Sequence, residues 1–212
     1  MGVSVVNQPN IMGRQSQPPP KQIREADLHV RRQVQRTVII EKAMQVLNQQ
    51  STPRPVSVEF ILRELNVPEF IFLKLFDSAD EFKNELVRTG WKDLLRPLRQ
   101  IVTRGPGREG LDEVISHYRQ FVRENKGTYF AAACEGRNTR TGQKYTSKLI
   151  HLLHVVLASC DLGKIDLNVA AKNMADVIHG LAVVELSGGK KHNPDLMITH
   201  MLKVYLNEIF HK

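Results

Sequence analysis

The 212-residue sequence predicts an all-α protein of about nine helices joined by short connections. Apolar residues recur at helical spacing in one segment after another, as at positions 111, 114, 115, 118, 121 and 122. No segment shows the sustained alternation of apolar and polar residues, bounded by turn residues, that is typical of strands. The sequence therefore favours a small N-terminal helical headpiece followed by a larger helical body.

The N-terminal third is expected to contain a tail and three helices. The first 30 residues include three consecutive prolines among asparagine, serine and glycine, a composition that predicts a disordered basic tail. A first helix is expected over residues 30–49, ended by the prolines at positions 53 and 55. Ser57 is a good N-cap for a short second helix, and Asn66 suits the tight turn before a third helix over residues 69–76.

The rest of the chain is expected to form six more helices. A long fourth helix is capped by Asp77 or Ser78 and is kinked or ended by Pro97. A fifth helix begins near residue 111, a short apolar helix covers residues 129–134, and residues 137–144 form a basic loop. The last three helices are expected over residues 145–160, over residues from 166 or 168 to 187, and over residues 194–210.

Charge is distributed unevenly along the chain. The first 56 residues carry eight basic and three acidic side chains, so most of the net charge of +8 lies at the N-terminal end. Such an end suggests an anionic partner, of which nucleic acid is the commonest, although a solvated tail without a partner has the same composition. Cys134 and Cys160 match neither a zinc site nor a disulfide framework. Because no secretory signal and no bilayer-spanning apolar run is recognisable, the sequence predicts a cytoplasmic protein.

Between residues 36 and 86, a helix precedes two short helices joined by a tight turn, which is the plan of a helix-turn-helix. This order and spacing resemble the TetR family of bacterial one-component transcription regulators. The matching residues lie in the short helices and beside them: Ile39, Ala43, Ser57, Ile61, Val67, Phe76, Ser78, Asp80 and Glu81. Further along, Ile178-His179-Gly180 is similar to the Trp-His-Gly signature of one subgroup's ligand domain. The implied organisation is a tail at 1–30, a DNA-binding domain at 31–83, and an effector-binding and dimerisation domain at 84–212.

The resemblance implies a ligand-responsive regulator, typically a repressor, that binds double-stranded operator DNA as a dimer. The residues expected at the DNA are Arg31, Arg32, Arg36, Ser57, Glu69, Phe70 and Lys74. The chain departs from the family where phosphates are contacted, since Leu73 and Leu75 stand at such positions in the third helix and Ala79 stands where a lysine usually opens the fourth.

Two explanations of this departure stay open. In the first, the basic arm that includes Arg31, Arg32 and Arg36 carries the phosphate contacts. In the second, the headpiece is a degenerate helix-turn-helix that serves as a protein-interaction module without sequence-specific DNA binding. Its contact would then be an apolar patch among Phe70, Phe72, Leu73 and Leu75, of which some, but not all, are expected to face the headpiece core.

The resemblance also places a small organic effector among the middle helices. The candidate residues combine aromatic, imidazole, thioether and thiol groups, which suits a moderately polar ligand: Trp91, His117, Tyr118, Phe121, Tyr129, Cys134, His151, His154, Met174 and His179. Each of them could fill a core instead. The charge-poor helices over residues 169–186 and 194–210 are expected to form a homodimer interface, with a monomer as the alternative.

The sequence predicts neither an enzyme nor a bound cofactor or metal. Residues 105–110 spell a literal GxGxxG, but a helix precedes it where a dinucleotide site needs a strand. His151 and His154 lie i, i+3 on one helix without a third ligand. No catalytic triad, pair of catalytic carboxylates or phosphate-binding loop is recognisable.

Overall fold

The computed structural model describes residues 20–187, and within them the protein is built from helices without strands. The eight α-helices are α1 (Pro20–Asn48), α2 (Val58–Glu64), α3 (Glu69–Leu75), α4 (Ala79–Arg104), α5 (Arg108–Glu124), α6 (Lys126–Tyr129), α7 (Arg140–Leu157) and α8 (Leu167–Ser187). Helix α6 continues into a π-helical stretch, Phe130–Glu135 (the π segment), and then into a 3₁₀ turn at Gly136–Asn138. The all-α prediction is confirmed, and the last helix, expected over residues 194–210, lies outside the described residues.

Helix α1 covers the described residues from Pro20 onward, so the prediction of a disordered tail is wrong for residues 20–30. Further along, Arg31 forms an exposed i, i+4 ion pair of 3.0 Å with Asp27. The composition of this stretch thus conceals helical residues. Residues 1–19, the remainder of the predicted tail, lie outside the described residues.

Serine caps and a left-handed asparagine set the ends of α2, α3 and α4, as the sequence predicts. Ser57 Oγ and Ser78 Oγ each accept a hydrogen bond from the N–H three residues on, at 3.2 and 3.1 Å. Asn66 adopts a φ of 51°, a left-handed conformation that asparagine tolerates, and it turns the chain from α2 into α3. Thr139 caps α7 in the same way, so residues 140–144 are helical and the basic loop expected over residues 137–144 is wrong there.

Helix α4 continues through Pro97 to Arg104, so the prediction that the helix ends at this proline is wrong, and the alternative of a kink stays a prediction. A proline inside a helix removes one backbone hydrogen bond and costs about 3 kcal/mol. Burial of the flanking apolar side chains offsets this cost, with about 2 kcal/mol gained for each large residue buried. Those side chains are Leu94, Leu95, Leu98 and Ile101.

Two apolar cores lie along the chain, and α4 contributes to both. The N-terminal core is formed by α1, α2, α3, the start of α4 and Ala131 of the π segment. At its centre the rings of Phe72, Phe76 and Phe82 pack with centroids 5.1, 5.2 and 5.5 Å apart. The C-terminal core is formed by the remainder of α4 together with α5 to α8. The two cores meet where α4 passes the π segment.

Glycines permit two close approaches at this meeting point. A Cβ on Gly136 would stand 2.6 Å from a Val87 methyl group, so α4 lies directly against the end of the π segment. A Cβ on Gly127 would stand 2.0 Å from Leu47 O, so the end of α1 lies backbone to backbone against α6. Helix α6 and the π segment therefore contact both α1 and α4.

Candidate functional site

Helix α3 presents a mixed apolar and charged surface to solvent. Phe70 and Leu73 are 58% and 57% exposed, and Lys74 lies beside them. Lys74 Nζ is 5.5 Å from the centroid of the Phe70 ring, a cation–π distance. The two other members of the apolar patch considered from the sequence, Phe72 and Leu75, are buried in the N-terminal core. As expected, only some of the four residues face the core, and the exposed patch on α3 consists of Phe70 and Leu73.

Arg36 attaches α1 to the end of α3. Its guanidinium donates hydrogen bonds to Leu75 O at 3.0 Å and to Glu81 Oε1 at 2.5 Å. It also lies 4.8 Å from the centroid of the Phe76 ring. Leu75 O belongs to the last turn of α3, where a carbonyl has no helical partner and needs another donor. Although Arg36 is one of the predicted DNA contacts, the structure places it inside the protein as a structural group.

Arg31 and Arg32 are more accessible than Arg36. Arg32 donates to Leu75 O and to Asp77 Oδ1, both at 3.1 Å, and its side chain is 44% exposed. Arg31 is 72% exposed, and its pair with Asp27 is of the surface kind that contributes at most about 1 kcal/mol. Of the three predicted arginines, Arg31 is therefore the one most readily redirected to a phosphate.

The other two predicted DNA contacts, Ser57 and Glu69, lie at the N-terminal ends of α2 and α3. Glu69 opens α3 and is exposed. Ser57 is exposed as well, but its hydroxyl already accepts from Phe60 N and donates to Glu59 Oε2 at 2.9 Å. Ser57 therefore acts first as a helix cap.

Glu81 supplies the negative charge at the corner where α1, α3 and α4 meet. Its Oε2 accepts a hydrogen bond from Asp77 N at 2.6 Å, while Oε1 receives Arg36. The hydrogen bond from the Asp77 N–H holds the pKa of Glu81 below its ordinary value of 4.5, and the Arg36 guanidinium lowers it further. Glu81 is therefore ionised at neutral pH and gives Arg36 a charged partner.

A chain of hydrogen-bonded side chains crosses the C-terminal core. The hydroxyls of Tyr118 and Tyr129 are 2.9 Å apart, and the Tyr129 hydroxyl lies 2.7 Å from His179 Nδ1. Burial raises the pKa of Tyr118 and that of Tyr129, so both remain neutral phenols. Burial is the main cause that lowers the pKa of His179 below 6.5, and the nearby Arg137 guanidinium is the second. In the tautomer that carries its proton on Nε2, a neutral His179 accepts from the Tyr129 hydroxyl at Nδ1, and Tyr129 in turn accepts from Tyr118.

Four of the ten predicted effector contacts come together around this chain. Trp91 joins Tyr118, Tyr129 and His179, and its Nε1 donates to Ala132 O of the π segment at 3.0 Å. The cavity beside them measures about 10 Å³. This is too small for any organic ligand and at the lower limit for one water molecule. The predicted effector pocket is therefore closed, and a ligand would need to displace side chains to enter it.

Of the remaining predicted effector contacts, Cys134 lies near Tyr118 and Tyr129, and the others are distributed over α5, α7 and α8. Met174 is fully buried in the C-terminal core, while His117 and Phe121 are half-buried on α5. His151 is exposed and His154 half-buried on α7, with His151 beside Arg99 in a shallow surface depression. Cys134 is half-buried, and burial raises the pKa of its thiol to about 11, so the reactive thiolate is scarce at neutral pH.

Two acids of α8, Asp176 and Glu185, form ion pairs that the sequence does not predict. Arg137 donates to Asp176 Oδ1 at 2.7 Å and thereby joins the 3₁₀ turn to α8. Glu185 is buried on α8 and accepts from Arg119 Nε at 2.8 Å and from Arg123 at 3.0 Å. A single acid within a stretch of α8 that otherwise lacks charge is the signal that could have indicated the second pair.

The similarity of the chain to known proteins is confined to its fold. No family model matches the chain, and no curated protein matches it. One solved structure, described as a protein with unknown function from Rhodococcus sp. RHA1, has a similar fold with a TM-score of 0.61. The similarity covers 83% of this chain and 95% of that chain at 17% sequence identity.

Within residues 20–187, no helix combines the length and apolar character needed to cross a lipid bilayer. In the same part of the chain, no three histidine, cysteine or acidic side chains come together as a metal site would need.

The aromatic chain gives the stability of the protein a specific pH dependence. Because the pKa of His179 is lowered in the folded state, the unfolded chain takes up this proton first as pH falls. The stability associated with neutral His179 is thus present above pH 6.5 and is lost as pH falls below that value towards the folded-state pKa. We expect His179→Gln to lose less stability than the unchanged protein between about pH 7.5 and pH 5.5, measured by urea unfolding. His151→Gln, an exposed histidine, is the control and should behave as the unchanged protein. Equal losses in all three proteins would contradict the prediction.

Proposed function

We propose that the protein is a TetR-like, ligand-responsive repressor that binds operator DNA as a homodimer. The observation that carries the proposal is the arrangement of α2 and α3. These helices have seven residues each, are joined through the left-handed Asn66, and stack on α1 through the N-terminal core. This arrangement supports a helix-turn-helix in which α3 enters the major groove.

The exposed side of α3 offers a small set of DNA contacts. Lys74 can reach a phosphate, and Glu69 can accept from the amino group of cytosine. Phe70 and Leu73 can contact the methyl group of thymine, which is the apolar feature of the major groove. Arg31, exposed on α1, adds a cation outside α3. This set favours modest base readout combined with phosphate contacts.

Helix α6 and the π segment support a response to ligand. Asn48 at the end of α1 accepts from Thr128 N at 2.8 Å and donates to Asn125 Oδ1 at 3.3 Å. Between these contacts and the π segment, Tyr129 lies in the aromatic chain. A ligand that displaces Tyr129 must therefore move the residues that hold α1. Since α1 carries α2 and α3 through the N-terminal core, such a movement would alter the position of α3.

Helix α8 supports a homodimer. Its outer side carries Val169 and Val183, which are 51% and 39% exposed, and Gly180, beside which a Cβ would meet no atom within 4 Å. Exposed apolar residues and a glycine on one helix favour close contact with another helix. The second helix of the expected interface, residues 194–210, lies outside the described residues.

A second candidate function is a protein-interaction module, and Phe70 with Leu73 is the observation that favours it. Two large apolar side chains, each more than half exposed, lie together on a helix that has a single cation. Such a pair suits a protein partner as well as a DNA groove. The two functions differ in their response to salt, because only phosphate contacts release counterions.

The test is a fluorescence anisotropy titration with duplex DNA from the region upstream of the protein's own gene. We expect tight binding that weakens steeply with salt. Lys74→Ala should lower the affinity about tenfold and reduce the slope of log affinity against log salt by about one. Lys126→Ala, which removes an exposed cation on α6, is the control and should leave both quantities unchanged. Absence of binding to any duplex at low salt would refute the repressor and favour the interaction module.

A further inference from the structure

A cavity of about 500 Å³ lies where the two cores meet, and it is much larger than the closed space beside the aromatic chain. We call it the junction cavity. Its walls come from the loop before α2, the first turns of α4, the π segment and the first turn of α7. Cavities of about 300–1,000 Å³ are the usual size for small organic ligands. The junction cavity can therefore admit a ligand without displacing a core side chain.

The floor of the junction cavity is apolar. It is formed by side chains that the two cores hold in place, namely Val56, Leu86, Val87 and Ala131. These residues are at most 7% exposed, so the floor is rigid on both sides of the boundary between the cores. A hydrocarbon or aromatic part of a ligand would be removed from water here.

The rim of the junction cavity carries two cations, Lys83 and Arg140. Among the described residues, neither Lys83 nor Arg140 forms an ion pair, although Glu59 lies near enough to interact with Lys83 through space. Arg140 and Thr141 also open α7, and no helical carbonyl can satisfy their backbone N–H groups. The cations and these N–H groups approach the cavity from two elements and favour an anion between them.

The two acids at the junction cavity, Asp80 and Glu135, are both exposed, so water screens both charges. Asp80 lies at the start of α4. Glu135 ends the π segment, and its Oε2 accepts a hydrogen bond from Val56 N at 2.8 Å. This bond joins the π segment to the N-terminal core. A bound anion would repel the Glu135 carboxylate and weaken that bond.

We propose that the junction cavity binds a small organic anion, a carboxylate or phosphate attached to a compact apolar group. The anionic group lies between Arg140, Lys83 and the first turn of α7, and the apolar group lies on the floor. Binding separates Glu135 from Val56, so occupancy of the cavity and the position of the N-terminal core are coupled. The binding site itself is independent of the proposed function, and only its effect on operator affinity rests on it.

Binding is tested without DNA, by isothermal titration of the full chain with naphthoate and with naphthylmethylamine as the cationic counterpart. We expect naphthoate to bind with a dissociation constant below about 1 mM and the amine to bind at least tenfold more weakly. Arg140→Ala should weaken naphthoate binding about tenfold. Arg99→Ala, which removes a cation from the separate depression near His151, should have no effect. Glu135→Gln keeps an acceptor for Val56 N while it removes the opposing charge, so it should strengthen naphthoate binding.

Several outcomes would overturn the site. They are no naphthoate binding at about 10 mM, equal binding of the amine, or binding that Arg140→Ala leaves unchanged. Loss of binding in Arg99→Ala would move the site to the other depression and would refute the proposal as well. The effect on operator DNA is then measured by anisotropy with and without naphthoate. Binding of naphthoate by a chain that fails to bind DNA would refute the proposed function while supporting the site.

Discussion

Gly127→Ala is expected to lower the free energy of unfolding by about 3 kcal/mol. A Cβ at this position would stand 2.0 Å from Leu47 O and 2.2 Å from Leu47 C, which are backbone atoms of α1 that cannot turn aside. Alanine has a higher helix propensity than glycine by about 1 kcal/mol, which opposes the loss but is smaller. Movement of α1 would also break the hydrogen bond from Thr128 N to Asn48.

Urea unfolding measures this effect, and Lys126→Ala is the matched control. Lys126 neighbours Gly127 on α6 and is exposed, so its replacement should change stability by no more than about 0.5 kcal/mol. If Gly127→Ala were instead more stable by about 1 kcal/mol, helix propensity alone would determine its free energy of unfolding. That result would contradict the close approach of α1 to α6. The same variant should also weaken the coupling between ligand and DNA binding that we propose for α6 and the π segment.

Arg36→Ala is expected to lower the free energy of unfolding by about 2 kcal/mol at neutral pH. The substitution removes the donor to Leu75 O, the charged partner of Glu81 and the cation over the Phe76 ring. The pKa of Glu81 is held below 4.5, so the contribution of this pair is present above that pH and is lost as pH falls below it. The difference between the variant and the unchanged protein should therefore shrink in acid.

Thermal and urea unfolding across pH test this prediction, with Arg31→Ala as the control. Arg31 has only its exposed i, i+4 pair with Asp27 among the described contacts, so its loss should cost less than about 0.5 kcal/mol. In a DNA titration under conditions where both variants are folded, the order of the two effects should be reversed. There Arg31→Ala should reduce the salt dependence of binding, whereas Arg36→Ala should not. A variant of Arg36 with full stability and weakened DNA binding would show that Arg36 contacts phosphate instead.

The parts of the fold that depend on neighbouring residues could be predicted from the sequence. Ser57 and Ser78 are caps because a hydroxyl reaches the N–H three residues on, and Asn66 turns the chain through its own backbone. Composition alone could not predict that residues 20–30 are helical or that α4 continues through Pro97. Tertiary burial decides at Pro97, where core packing offsets the missing hydrogen bond.

The candidate sites were predictable to a similar extent. Helical spacing on inward faces brings Trp91, Tyr118, Tyr129 and His179 together, but spacing cannot show that the space between them is closed. The charge at the N-terminal end led to the prediction of Arg36 as a DNA contact, whereas in the structure Arg36 binds Leu75 O, which lies 39 residues away along the chain. Contacts over such separations depend on the assembled fold, which the local pattern does not contain.

The π segment has a consequence for how much the length of the chain can vary. A π turn accommodates one residue more than the α turn that it replaces. Deleting one residue from the middle of this segment would restore an ordinary α turn and leave the residues on either side close to their present register. Tyr129, before the segment, and Glu135, at its end, would then stay on the sides of the helix from which they reach the aromatic chain and Val56. The length of the chain can therefore change by one residue at this point while the contacts on both sides are kept.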